Sequence, residues 1–71
     1  MIDRHHAFKA LKKGFIFNRK VDNKNLTNAY DLFINGDYYQ LLDFLKESNV
    51  NEEIYKYFKN NKEGVINQKE N

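Results

Sequence analysis

Apolar positions in this 71-residue chain recur mostly three and four residues apart, which is the spacing of one helix face rather than the alternation of a strand. The clearest run lies in residues 26–35. Leu26, Ala29, Tyr30, Phe33 and Ile34 fall at i, i+3, i+4, i+7 and i+8, so they share a face. Asn25 stands where an N-cap belongs, and Gly36 where a left-handed C-terminal residue belongs. A second run starts at once. Asp37 followed by Gln40 has the spacing of a capping box. Tyr38, Leu41, Leu42 and Leu45 make its inner stripe, Tyr39 and Phe44 lie on its flanks, and Asp43 and Lys46 face outward. The link through Gly36 and Asp37 is short enough that the two helices should be antiparallel neighbours.

Two weaker patterns flank this hairpin. Asp3 can cap a first helix running to about Lys13, with Phe8, Leu11 and Phe15 as its stripe, Lys12 and Lys13 in its last turn and Gly14 just beyond. Asn51 can cap a last helix over residues 52–62, with Glu52 and Glu53 in its first turn and Ile54, Tyr57 and Phe58 facing inward. Val50 is placed to staple onto Tyr55. Gly64 is expected to stop this helix, Val65 and Ile66 to dock back, and the polar residues 67–71 to fray. Residues 14–25 mix Phe15, Ile16 and Phe17 with a polar, turn-rich stretch. They read as a loop pinned by one or two aromatics, with a short extended segment as the alternative. The pattern therefore predicts an all-α fold: a small bundle of three to four short helices with a central helical hairpin. One domain spans residues 1–66, followed by a polar tail at 67–71.

Composition changes the picture in two ways. A chain this short buries only about 60% of its unfolded surface, and with no cysteine it has no disulfide or thiolate metal site to compensate. After Met1 there are 25 large apolar or tyrosine side chains, more than the roughly 12 to 15 that such an interior encloses. Tyr39, Phe44 and Tyr55 lie off the main stripes and are the ones expected at the surface, beside acidic residues, as a protein-binding patch. Secondly, eleven asparagines and ten lysines, with no proline and three glycines, point to an AT-rich genome such as that of a low-GC bacterium, its phage or a plasmid. No apolar run is long enough to span a bilayer, and Arg4, His5 and His6 stand where a signal core would begin; the expectation is a cytoplasmic protein that does not engage a membrane.

Charge is divided along the chain. Residues 1–24 carry seven basic side chains against two acids, a net of +5, while residues 25–71 carry five lysines against eight acids, a net of −3. Lys9, Lys12, Lys13, Arg19, Lys20 and Lys24 form a basic N-terminal segment suited to phosphates, with Phe15 and Phe17 between the clusters as candidate stacking groups. The central hairpin has the glycine-containing turn of a helix-turn-helix. Its second helix offers one lysine against Asp43 and Glu47, poor chemistry for a major groove.

Catalytic chemistry finds little support. His5 and His6 are adjacent and point about 100° apart on a helix, so they do not chelate one ion. The single serine, Ser48, has no histidine near it in sequence, and there is no glycine-rich phosphate loop. Asp37, Glu52 and Glu53 read as helix caps and dipole partners. The sequence is read as a non-enzymatic module without metal or cofactor: an inhibitor, regulator or adaptor that binds another protein or itself as a homodimer. A nucleic-acid-binding protein using the basic segment is the alternative.

Overall fold

A computed structural model describes residues 2–16 and 23–70. The described residues form five α-helices and a final 3-10 turn, and no strand: α1 (Arg4–Ile16), α2 (Asn23–Ile34), α3 (Tyr38–Glu47), α4 (Glu52–Lys59), α5 (Lys62–Ile66) and the turn Asn67–Glu70. The small helical bundle matches the sequence pattern, with more helices than the three to four expected. Helices α2 and α3 pack against each other, α2 also against α1 and α5, and α3 also against α4 and α5.

The hairpin turn follows from Gly36. Its φ of 73° lies in the left-handed region. The Gly36 N–H donates to the Phe33 carbonyl at 3.1 Å and the Asp37 N–H to the Leu32 carbonyl at 3.0 Å, the two bonds of a Schellman motif. The expected capping box at Asp37 does not form. Asp37 has φ −82° and ψ 70° with no side-chain cap bond, and the Tyr38 N–H instead donates to the Gly36 carbonyl at 2.9 Å. This is an inverse γ-turn, which takes Asp37 out of the extended geometry that capping needs. A second Schellman motif ends α3 at Asn49, which has φ 56°, with Val50 N–H donating to the Leu45 carbonyl at 3.3 Å.

The core matches the predicted stripes of α2 and α3. Ala29, Phe33, Tyr38, Leu41, Leu42 and Leu45 are buried, and Leu26, Tyr30 and Ile34 are half-buried against them. Ile54 and Phe58 of α4 and Val65 of α5 complete that side. The Phe33 and Phe58 rings meet edge to face at 5.9 Å, a favoured aromatic geometry.

Helix α1 departs from expectation. It does not stop at Gly14 but continues to Ile16. A Cβ on Gly14 would lie 3.2 Å from two side-chain carbons of Ile54, so this glycine lets α4 approach α1 closely. Ala7, one further small residue on that face, is fully buried, and Phe8 turns to the flank, where it is 38% exposed. Phe15 is buried in the core and so is not available to stack on a base. Phe17, Arg19 and Lys20 lie outside the described residues. Helix α2 starts two residues before the expected cap, at Asn23.

The end of α4 is also earlier than expected. The helix stops at Lys59, and Gly64 lies inside α5, where a Cβ would be 2.9 Å from Ile2 Cγ2. The last four carbonyls of a helix need partners from elsewhere, and here each has one. Lys56 O accepts from Asn60 N–H at 2.9 Å, and Phe58 O from Asn61 N–H at 3.2 Å. Tyr57 O accepts from the Asn61 side-chain amide at 2.6 Å, and Lys59 O from the Tyr38 hydroxyl at 2.7 Å. Asn61 thus supplies a side-chain donor where the main chain would otherwise continue, which lets the chain turn into α5.

Residues 67–70, expected to fray, form the 3-10 turn instead. Gln68 is only 3% exposed, and both polar atoms of its amide have partners. Its Oε1 accepts from Arg4 Nε at 2.8 Å; its Nε2 donates to the carbonyls of Ile2 at 3.0 Å and Gly64 at 3.1 Å. Arg4 Nη2 also donates to the Gln68 carbonyl at 3.2 Å.

Candidate interaction surface

Three large apolar side chains stand out as exposed among the described residues: Tyr39 at 66%, Ile66 at 39% and Phe8. Two of them meet at one end of the bundle. Tyr39 and Ile66 line an open depression together with Gly36, Asp37, Tyr38 and Gln40. The meeting has a local cause. The C-terminal segment packs so closely over left-handed Gly36 that a Cβ there would be 2.9 Å from the Ile66 carbonyl and 3.1 Å from Lys69 Cβ. The α2–α3 turn is therefore covered by the C-terminal segment, and Ile66 is carried to the side of α3 that bears Tyr39.

Lys62 completes this edge. Its ammonium donates to the Tyr39 hydroxyl at 2.8 Å while lying 5.1 Å from the centre of the same ring, so it sits beyond the ring edge rather than over its face. The hydrogen bond from the ammonium, followed by Coulombic attraction to the same tyrosine, holds the Lys62 pKa above its ordinary value. Tyr38 is packed edge-on to Tyr39 at 5.1 Å, with its own hydroxyl committed to Lys59, so the base of the edge is fixed. The surface offers an apolar face, a phenol and a fixed cation.

The three aromatics singled out in the sequence do not share one neighbourhood. Tyr39 is on the edge just described. Tyr55 is half-buried and lines a different depression with Leu45, Lys46, Val50 and Lys59. Phe44 is half-buried, its ring 6.2 Å from that of Phe15. In the sequence Ile66 reads only as a docking residue. Its apolar character is visible in the sequence, but its nearness to Tyr39 depends on the tail folding back.

The basic residues are divided. Lys9, Lys12, Lys13 and Lys24 are exposed, and Arg19 and Lys20 lie outside the described residues. His6 Nδ1 is 3.1 Å from Asp3 Oδ2 on the exposed first turn of α1, and the His5 and His6 rings meet edge to face at 6.1 Å. Asp3 itself caps α1 through the His5 N–H at 3.1 Å. Among the described residues no three histidine or carboxylate side chains gather as a metal would need. No helix there is long and apolar enough to cross a membrane. Comparison with protein families, curated proteins and solved structures finds no match for this chain.

Proposed function

We propose that this chain is a small non-enzymatic interaction module, an inhibitor, regulator or adaptor, that binds another protein through the edge formed by Tyr39, Ile66 and Lys62. One observation carries the reading: the most exposed aromatic of the described core-forming helices shares a depression with a second exposed apolar side chain. Tyrosine is a frequent anchor in interfaces because it adds large contact area with few rotatable bonds and keeps a polar tip. The partner that fits presents an apolar side chain to the depression and a carboxylate to Lys62. Tyr55 and Phe44 are secondary in this reading, since each is already half-covered by its own protein. A cytoplasmic setting and a phage or mobile-element origin accompany the proposal on composition alone.

Co-purification from the native host tests it. The parent chain should recover a discrete protein that Tyr39→Ala and Ile66→Ser both lose, while Lys12→Gln retains it. Recovery unchanged by either edge variant would refute the assignment. Sedimentation of the purified chain separates a second copy from a foreign partner: a concentration-dependent dimer abolished by Tyr39→Glu would make the partner the chain itself.

A further inference from the structure

The long solvent face of α1 is chemically one-sided. From Arg4 to Ile16 the helix has four permanent cations and two histidines and no acid. Arg4 is committed to Gln68. Lys9, Lys12 and Lys13 are exposed, and none of them is ion-paired among the described residues. The neighbouring helix α2 has Lys24 and a single acid, Asp31.

An aromatic ring lies beside these lysines. Phe8 is partly open to solvent and meets the Tyr30 ring of α2 at 5.2 Å and 83°, which fixes its orientation. Helical spacing puts Lys12 one turn beyond Phe8 and His5 one turn before it, on the same side. Helix α2 packs against α1 through contacts that include the Phe8–Tyr30 ring pair, and Lys24 is exposed at the start of α2.

Repeated cations and an accessible aromatic ring are what a flexible phosphodiester with unstacked bases requires. An anionic membrane fits less well. A helix lying in a bilayer interface needs a free apolar face, and that face of α1 (Ala7, Leu11, Phe15) is buried in the core. A duplex keeps its base faces stacked inside and leaves Phe8 without a role. We propose that the solvent face of α1, with the exposed start of α2, binds single-stranded nucleic acid, with Lys9, Lys12, Lys13 and Lys24 along the phosphates and Phe8, at the edge of that face, stacked on a base. This site is distinct from the Tyr39–Ile66 edge and does not depend on it.

Fluorescence anisotropy with a labelled oligothymidylate, the matching duplex and phosphatidylserine vesicles tests the proposal across a salt series. The single strand should bind most tightly, with log K falling against log salt with a slope of about −2 to −3, since each phosphate neutralised on a single strand contributes about −0.7. Replacing Lys12 and Lys13 by Gln should reduce the slope by about 1.4. Phe8→Leu keeps an apolar contact with Tyr30 but has no ring to stack. It should weaken the single strand roughly five- to a hundred-fold, the scale of losing one stacked base, with the salt slope and the helical dichroism unchanged. Duplex or vesicles bound as tightly as the single strand would overturn the proposal, as would affinity indifferent to Phe8→Leu or no binding at low salt.

Discussion

Arg4 Nε donates to Gln68 Oε1 at 2.8 Å across 64 residues of chain. The bond closes the bundle, because the same Gln68 amide also holds Ile2 and Gly64 through their carbonyls. Both ends of the described chain are thereby fixed beside α5. Breaking this junction leaves buried polar groups without partners. Gln68→Ala should lower unfolding free energy by about 1–3 kcal/mol, read as the shift in urea midpoint. Deleting residues 67–71 should cost at least as much. A truncated chain as stable as the parent would show that the tail is dispensable.

The two interior caps should behave differently. Asn51 Oδ1 accepts the Glu53 N–H at 2.8 Å, a working N-cap. Asn51→Ala should therefore cost about 1 kcal/mol. Asp37 makes no side-chain cap bond, so Asp37→Ala should have a smaller effect. Thermal melts of the two variants decide this, and equal losses would contradict the inverse γ-turn at Asp37.

Glycine replacements should rank by what the new Cβ meets. At Gly36 it meets main chain, the Ile66 carbonyl at 2.9 Å, on a residue already at φ 73°. At Gly14 it meets only the Ile54 side chain, at 3.2 Å. Gly36→Ala should destabilise by more than the roughly 1 kcal/mol expected of left-handed backbone alone, and by more than Gly14→Ala. It should also disturb the Tyr39–Ile66 edge. Denaturant midpoints give the order, and a Gly36→Ala chain as stable as the parent would remove the steric argument.

Alkaline pH offers a further test. Partial burial, with the Asp3 carboxylate second, raises the Tyr57 pKa above its ordinary value of 10.0. The folded state then holds the phenol proton more tightly than the unfolded chain does. The stability this contributes is complete below pH 10 and is lost as pH rises through the folded value. Lys62, also raised, adds to the same loss in the same direction. Tyr57→Phe should flatten the decline above pH 10 as followed by helical dichroism. A decline of unchanged slope would place its origin elsewhere.

Helix identity was legible where periodicity and punctuation agreed. Leu41, Leu42 and Leu45 read as core and are core, because burial of an amphipathic stripe is dictated by spacing alone. Small residues misled. Gly14 and Gly64 look like stop signals, yet each lies inside a helix at a close approach to Ile54 or Ile2, and those distant partners leave no trace in local sequence. The role of Gln68 is invisible in the sequence for the same reason. A glutamine in a polar tail carries no sign that Arg4, Ile2 and Gly64 will surround it. The Tyr39 half of the candidate edge was visible as an aromatic off the main stripe, whereas its Ile66 half depends on that unseen docking.

The most direct measurement of the central claim is site-specific photo-crosslinking in the native host, with benzoylphenylalanine placed at Tyr39, at Ile66 and, as a control on the outer face of α4, at Lys56. If the Tyr39–Ile66 edge binds another protein, positions 39 and 66 should give the same discrete protein adduct and position 56 should give none. An adduct equally strong at position 56, or none at position 39, would contradict the account.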